Sequence, residues 1–362
     1  MNGMTETTEA TEATEARYMA DMADMTDMTD MTETTWLPTA PQAMATRERH
    51  RRLSAVAGPV YAWLTTAIIV AVCLLILFTV LIMGAGAISP EFFLREPSAS
   101  SLNAGDSGGI SSPLAGTVCL TLIGIAIAFP ISLATAIYMT YYAKKGLVGR
   151  GIDLAVDILA GVPTVVIALF ALAVFTNPAF TFLSTPVQND GGVVARAYGK
   201  SFLVAGIAMA VMILPFVTKS MAEALKRTPA AYIDGSLALG ATMWRTICRV
   251  VIPSARRGIV TGAILGMGRI MGDTAIVWLA LGGTLRMTGP QPWYAPVNWL
   301  GTLRNTGSTL TSYIYYTSPA GEGNNLKAAF GAALVLIVMI ILLNALTAVL
   351  GGIGDTEGGG GA

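Results

Sequence analysis

Six long apolar stretches run through this 362-residue sequence and constrain its fold more than any other feature. They lie at about 60–88, 114–141, 153–176, 200–220, 258–284 and 328–350. Each is long enough for a helix to cross the roughly 30 Å hydrocarbon core of a bilayer, which takes about 20 residues. Because a spanning segment must satisfy its own backbone hydrogen bonds, the sequence predicts an all-α integral membrane protein with six transmembrane helices.

The low charge content of the chain argues against an ordinary soluble enzyme. Only 12% of the residues are charged, whereas soluble globular domains carry about 25%. The chain has one histidine and three scattered cysteines, and no glycine-rich phosphate-binding motif. This composition offers no histidine triad, disulfide framework, metal-ligand spacing or nucleotide site. The net charge is zero, so we expect no nucleic-acid partner. Because the metal and nucleotide motifs are missing, we also expect no cofactor in this chain.

The two ends of the sequence differ from its middle in composition. Residues 1–46 are of low complexity, with nine acidic residues and one basic residue. They hold too few large apolar groups to offset the entropy of ordering, so we predict a disordered acidic tail, either an interaction segment or simply solvated. If translation begins at Met31 or Met44, most of this tail is absent from the protein. The membrane domain is predicted over 47–355, and a glycine-rich C-terminal tail over 356–362.

Lysine and arginine residues cluster in alternate loops, and this pattern predicts the orientation of the chain. The basic clusters are Arg47, Arg49, Arg51 and Arg52; Lys144, Lys145 and Arg150; and Lys226, Arg227, Arg245, Arg249, Arg256 and Arg257. Because cytoplasmic loops carry the excess of basic residues, we predict a multi-pass protein of the cytoplasmic membrane with both termini in the cytoplasm. The long connection at 221–257, here called the coupling loop, is then cytoplasmic as well.

The coupling loop has the pattern of two short helices joined by a glycine. Pro229 suits the first turn of a helix over Ala230–Leu239, and Gly240 suits its end. A second short helix is predicted from about Thr242 to Val251, ending at Pro253. An amphipathic helix–glycine–helix elbow between two membrane spans has a shape that can bind in a groove of a cytosolic partner.

This loop resembles the EAA loop of ABC importer permeases. Its matching residues are Asp234 at the glutamate position, Gly235 and Ser236 at the alanine positions, Gly240 at the glycine, and Pro253 at the end. Arg245, in the second short helix, is assigned to the same docking surface. The Asp-Gly-Ser start departs from Glu-Ala-Ala, but the spacing is kept. The resemblance implies a type I ABC importer permease fold whose cytoplasmic coupling helices dock on ATPase subunits. ATP and Mg²⁺ would then be bound by those partners, and this chain would not itself be an enzyme.

Two opposite charges lie inside the fifth apolar stretch. Arg269 and Asp273 are four residues apart, so a continuous helix would place them on one face near the middle of the membrane. An intramembrane charge is costly, and an arginine fork suits an oxyanion. The pair is therefore either a substrate contact or a structural ion pair that locks the helices. Gly258, Gly262 and Gly266, spaced every four residues, predict close packing of the same helix.

Three stretches of the chain resemble phosphate importer permeases. Arg269–Ala275 is similar to their R-x-x-G-E-T-A, with Asp273 in place of glutamate, and Gly161–Phe170 is similar to G-x-P-S-I-V-x-G-L-F. Leu214-Pro215, followed by Glu223–Pro229, is similar to a third motif of the family. The resemblance implies the A-type subunit, because Ala275 follows the threonine, with Arg269, Asp273 and Thr274 on the substrate path.

The implied partners are a homologous second permease subunit, two ATPase subunits, an extracytoplasmic phosphate-binding protein and the lipid bilayer. The alternatives are a permease for sulfate or molybdate, a secondary transporter, and a membrane scaffold. A secondary transporter needs no docking loop, and a scaffold leaves Arg269 unexplained.

Several further residues carry simpler predictions. Pro163 predicts a kink in the third span. Asp153 and Asp157 suit a helix start, and Lys219 is expected to reach for the membrane surface. The aromatic residues of the last loop, at 287–327, form either an interfacial belt or a docking surface for an external partner. They are Trp293, Tyr294, Trp299, Tyr313, Tyr315 and Tyr316.

Overall fold

The computed structural model describes residues 40–106, 108–143, 146–187, 196–321 and 323–352. For 40–57, 187, 196–197 and 347–352 it describes the backbone alone. The chain divides into two units at Leu74/Leu75, and the sites discussed below lie in the second. The predicted tails, 1–46 and 356–362, lie outside the described residues except for 40–46, whose backbone is helical; the disorder of the tails stays a prediction.

The described residues form helices joined by mostly short connections. The helices are α1 (Ala40–Ala85), α2 (Pro90–Leu94), α3 (Ser111–Ile137), α4 (Leu147–Gly161), α5 (Thr164–Phe175), α6 (Phe202–Lys226), α7 (Ala230–Ala238), α8 (Met243–Thr246), α9 (Ile252–Gly272), α10 (Trp299–Arg304), α11 (Leu310–Thr317) and α12 (Leu326–Gly352). π-Helical turns extend α3 over Tyr138–Tyr142, join α8 to α9 over Ile247–Val251, and form a further segment at Val277–Leu281. One antiparallel strand pair, β1 (Pro186–Val187) with β2 (Arg196–Ala197), interrupts the helical pattern.

The described residues contain five or six apolar spans, against the six predicted, and the course of two of them differs from the prediction. Five helical segments of the described chain are long and apolar enough to cross a membrane, and the number is six if one bent pair of helices counts as a single span. The five are Gly58–Ala85, Ser111–Tyr142, Phe202–Lys226, Met243–Gly272 and Leu326–Leu346. The bent pair is α4 with α5, which replaces the predicted third span at 153–176.

The third span is broken rather than kinked. α4 and α5 meet at an angle of 101°. Val162 between them has extended backbone angles (φ −73°, ψ 126°), the conformation imposed on a residue that precedes proline. Pro163 is the N-cap of α5, which begins at Thr164. The elbow at 161–164 is thus set by the Val-Pro sequence.

The fifth span begins earlier and ends earlier than the predicted 258–284. No helix ends at Pro253; instead Met243–Gly272 runs on continuously through it. Pro253 follows the π-helical turn Ile247–Val251, and a local π adjustment of this kind accommodates a proline inside a membrane helix. At the other end the helix stops at Gly272, and Asp273 adopts an extended conformation (φ −76°, ψ 136°).

α6 is the centre of the packing. It contacts α3, α4, α5 and α9, and two-thirds of its most apolar stretch is buried (67%), against 22% for α12. The predicted glycine stripe packs against it: a Cβ added to Gly258, Gly262 or Gly266 would lie 2.4–2.7 Å from atoms of Ala224, Ser220 or Val217 respectively. These contacts confirm close helix packing and fix an antiparallel register between α9 and α6.

The loops at the Phe202 end of α6 bond to one another. Thr185 N–H donates to the Arg304 carbonyl (3.0 Å), and Asn324 N–H donates to the Leu102 carbonyl (2.8 Å). The Asn325 side chain is almost fully buried; its Nδ2 donates to the carbonyls of Ser101 and Asp106 at 3.0 Å each. Three loops that are distant in sequence therefore form one bonded layer at this end.

Candidate substrate site and coupling loop

Arg269 lines a small cavity between α4, α5, α6 and α9. The cavity has a volume of about 150 Å³, and its walls are seven apolar side chains together with Lys219 and Arg269. The register of the glycine stripe places Arg269 level with about Ile213, close to the middle of the 25-residue α6. Arg269 is exposed in the isolated chain. The Arg269 guanidinium therefore lies at mid-helix depth, on a cavity wall that is apolar except for Lys219.

The three stretches that carry the sequence resemblance meet at this cavity. Val162 and Ile167 come from the Gly161–Phe170 stretch, Pro215 from the Leu-Pro pair, and Arg269 from the last stretch. The elbow between α4 and α5 places Val162 on the cavity wall. Residues of these stretches up to 107 positions apart in sequence thus build one site, which the motifs alone did not reveal.

The expected geometry of Arg269 and Asp273 is wrong. Asp273 lies past the end of α9, so the two residues do not share a helix face, and no N···O distance between them falls within 4.0 Å among the ion pairs of the described chain. Asp273 Oδ2 instead accepts from the Ile276 N–H (2.8 Å). It caps the next helical segment, in the way that acidic residues cap helix N-termini.

Thr274, the third residue predicted on the substrate path, is exposed beside this break. The Asp273 carbonyl also accepts from Thr311 Oγ1 of α11 (3.3 Å). The break therefore exposes backbone and hydroxyl groups near the depth of Arg269. Interrupted helices at mid-membrane depth are characteristic of transport sites.

Lys219 forms an ion pair that the sequence did not predict. Its Nζ contacts Asp157 Oδ1 of α4, 62 residues away. The expectation that Lys219 simply reaches for the membrane surface, and that Asp157 serves only a helix start, is therefore corrected. Both side chains are about half exposed, at 47% and 52%, and Lys219 shares the cavity wall with Arg269.

The coupling loop folds into the predicted elbow at its first helix. α7 ends at Leu239 as its C-cap, and Gly240 has a left-handed φ of +81°, as expected for a glycine that terminates a helix. Ser236 Oγ and Thr246 Oγ1 are 2.9 Å apart, so a hydrogen bond joins the two arms. Thr242 Oγ1 accepts from the Arg245 N–H (3.3 Å) and caps α8.

No residue of α7 is buried. Its predicted docking residues Asp234 and Gly235 are exposed, as are Arg245 and Pro253 beyond it. The sequence motif did not single out the apolar side chains that share this exposure. They are Tyr232 (58%), Leu237 (40%), Leu239 (91%) and Trp244 (60%). The loop therefore presents apolar and charged groups that the chain itself does not cover.

The aromatic residues of the last loop do not act as one group. Tyr313 is fully buried and its hydroxyl accepts from the Gly109 N–H (3.3 Å). Tyr315 and Tyr316 pack on Trp278, with ring centroids 4.8 and 4.9 Å away. Tyr294 (67%) and Trp299 (57%) remain exposed. The two predictions for this loop, an interfacial belt or a docking surface, apply only to the exposed members.

These features define a class: a multi-pass α-helical membrane protein with an arginine-lined cavity at mid-helix depth and an uncovered helical elbow between two spans. Residues 126–355 match the family described as binding-protein-dependent transport system inner membrane component. The match covers well over half of the chain, and the chain belongs to this family.

Curated relatives include two permeases of Mycobacterium tuberculosis. The chain is 32% identical over 251 residues to its "Phosphate transport system permease protein PstC 2", covering 65% of this chain and 72% of that protein. It is 28% identical over 244 residues to its "Phosphate transport system permease protein PstA 1", covering 67% and 70%. The relatives thus include both C-type and A-type permeases.

Solved structures share the fold at low sequence identity. A bacterial ABC transporter involved in the import of the acidic polysaccharide alginate has a chain that aligns with a TM-score of 0.52 at 16% identity. The alignment covers 83% of this chain and 98% of that one. The prediction of a type I ABC importer permease fold is confirmed.

Proposed function

We propose that this chain is the membrane-spanning subunit of an ATP-driven importer of inorganic phosphate. The observation that carries the proposal is the convergence of three separate stretches on one cavity lined by Arg269. An arginine fork pairs well with the oxygens of a tetrahedral oxyanion. The names of the curated relatives, which are phosphate permeases, support phosphate as that anion.

The break at Asp273 supports the same site. An interrupted helix at this depth leaves polar groups that would otherwise be costly in the membrane, unless they line a path for a polar substrate. Asp273 and Thr274 lie at that break, and we assign them to the path beside Arg269. Asp273 holds the following segment in place through the Ile276 N–H.

The coupling loop is the site where we place the ATPase partners. An uncovered helix with a 91%-exposed leucine beside charged residues fits a surface that is buried on assembly. The residues assigned to it are Asp234, Gly235, Ser236, Gly240, Arg245 and Pro253. ATP and Mg²⁺ belong to these partner ATPases.

Membership of the family supports the remaining partners, and the charge pattern supports the orientation. We assign to this chain an extracytoplasmic phosphate-binding protein and a homologous second permease that completes the path beside Arg269. The basic residues of the coupling loop favour a cytoplasmic position for this loop and for both termini. The assignment to the A-type subunit depends on Ala275 alone, and relatives of both types match the chain.

The test is uptake by the complete complex in proteoliposomes. With ATP inside and the binding protein outside, radiolabelled phosphate should accumulate, and sulfate or molybdate should not. Preferential uptake of sulfate or molybdate would replace phosphate with that oxyanion. Uptake driven by an ion gradient without ATP would refute the ABC mechanism.

The docking assignment is tested by a matched pair of substitutions. Leu239 and Val297 are both more than 90% exposed, at 91% and 93%. Leu239 lies in the coupling loop, whereas Val297 lies in the last loop, at 287–327. Leu239→Asp should reduce ATPase co-purification by at least about tenfold, since a buried interface leucine and an unpaired carboxylate differ by more than 1.4 kcal/mol. Val297→Asp should leave it unchanged. Equal co-purification of both variants would refute the assignment.

A further inference from the structure

Two cations, rather than one, line the cavity of the proposed substrate site. Arg269 and Lys219 both contribute to its wall, and every other wall residue is apolar. In the part of the chain that the structure describes, Arg269 has no ion pair within 4.0 Å, whereas Lys219 is paired with Asp157. Sequence resemblance drew attention to Arg269 alone.

The two cations lie at different depths. Gly266 of α9 packs against Val217 and Ile213 of α6, so Arg269, three residues further along α9, is level with about Ile213. Lys219 is six residues further along α6 than Ile213, which is about 9 Å at 1.5 Å per residue. Lys219 is therefore displaced from Arg269 towards the coupling loop.

The partner of Lys219 is held by a different element. Asp157 belongs to α4, which is separated from α5 by the 101° elbow. Asp153, one turn earlier on α4, also attracts Lys219 electrostatically. Both side chains of the Lys219–Asp157 pair are about half exposed in the isolated chain, so surrounding side chains do not enclose the pair.

We propose that Lys219 is a second contact for the transported oxyanion and that Asp157 is its resident counter-ion. The inference rests on the proposed function of the Arg269 cavity. As the anion leaves Arg269 towards the coupling loop, its oxygens take the place of the Asp157 carboxylate on the Lys219 ammonium. When the anion departs, Asp157 closes on Lys219 again, so that the lysine never lacks a counter-charge within the membrane.

A purely structural ion pair is the competing explanation, and reversing the two charges separates them. If the pair only ties α4 to α6, Lys219→Asp combined with Asp157→Lys restores it. If Lys219 contacts the substrate, the reversed pair places a carboxylate on the α6 wall, where it repels the anion. The two explanations therefore predict opposite results for the same double variant.

The experiment measures ATP-dependent phosphate uptake by the assembled complex in proteoliposomes. Lys219→Met should lower uptake at subsaturating phosphate at least about tenfold, as expected when a charge-assisted hydrogen bond to the substrate is lost. Lys219→Arg should retain most of it. The reversed pair should stay as low as Lys219→Met, and Lys200→Met, which removes a lysine two residues before α6 and outside both the cavity and the coupling loop, should resemble wild type. The amount of assembled complex is measured for each variant.

Each outcome has a defined meaning. Normal uptake by Lys219→Met, or recovery of uptake by the reversed pair, would overturn the inference and leave the proposed function intact. If Lys219→Met does not assemble, the comparison of Lys219→Arg with the assembled reversed pair decides in the same way. A wild-type complex that takes up no phosphate refutes the proposed function itself.

Discussion

The loops at the two ends of α6 differ in how far their polar and apolar side chains are buried. At the Phe202 end they are tied together by side chains such as Asn325, which is 1% exposed, and Tyr313 is fully buried among them. At the other end α7 has no buried residue, and Leu239 is 91% exposed. The loops at the Phe202 end bury their side chains against one another, whereas the coupling loop at the other end leaves apolar side chains exposed.

This difference shows where the chain depends on a partner. Burial of a large apolar side chain stabilises a protein by about 1.5–3 kcal/mol, so an uncovered leucine and tryptophan on one short elbow forgo that gain in the isolated chain. The elbow is held by a side-chain hydrogen bond between Ser236 and Thr246, by backbone hydrogen bonds from Gly240 and Ala241 to α7, and by the cap at Thr242. We therefore expect substitutions at this end to affect coupling, and substitutions at the other end to affect folding.

The largest effect is expected at Gly240. Its φ of +81° is costly for a β-branched residue, so Gly240→Val should distort the elbow and reduce ATP-driven uptake by an order of magnitude or more while the membrane helices remain folded. Among the described residues, its two chain neighbours apart, no atom lies within 4 Å of a Cβ built at this position. Gly240→Asn, which tolerates a left-handed backbone, should therefore retain more uptake. Equal uptake by the two variants would show that backbone conformation is not the cause.

A smaller effect, on stability rather than coupling, is expected at Asn325. Its Oδ1 accepts from the Ala328 N–H at the start of α12 (3.1 Å), and its Nδ2 serves two carbonyls. Asn325→Ala should lower the free energy of unfolding by about 2–4 kcal/mol, since a cap and two buried bonds are lost. Thermal unfolding of the purified protein measures this. Asn177→Ala, at an exposed cap, should cost less than about 1 kcal/mol; a similar loss at both positions would contradict the contrast between buried and exposed loops.

The smallest effect is a pH dependence of stability at the same end, from Asp106. A backbone hydrogen bond from Gly108 lowers the pKa of this carboxyl below its ordinary value of 3.8, with help from Ser100 and Arg95. Its contribution to stability is therefore present above about pH 4 and is lost as the pH falls through the lowered pKa. The melting temperature of wild type should fall more steeply below pH 4 than that of Asp106→Asn. Parallel curves would exclude Asp106 as a source of acid sensitivity.

The sequence predicted the helices better than the places where they break. Long apolar runs locate five of the six spans because spanning length and hydropathy are local properties. The Val-Pro pair at 162–163 indicated a bend, but its size, 101°, depends on how α5 packs against α6. The break at Asp273 was missed because the apolar run continues past it without a proline, and Gly272 does not stand out from the other glycines of the same helix.

The site was predicted only in part, because it depends on where helices break and how they pack. Arg269 was recognised because a charge inside an apolar stretch is conspicuous in a sequence. Its relation to Asp273 was wrong because it assumed an unbroken helix. The Lys219–Asp157 pair joins residues 62 positions apart, and no local pattern indicates that α4 and α6 bring them together.

The most direct test of the account is phosphate uptake by the assembled complex with Arg269 replaced. Arg269→Gln keeps a similar length and removes the charge, and Arg269→Lys keeps the charge and loses the planar fork. The account predicts that Arg269→Gln assembles with its ATPase partners and hydrolyses ATP but accumulates little phosphate, with Arg269→Lys in between. Accumulation by Arg269→Gln at the wild-type rate and with the wild-type KM would contradict it.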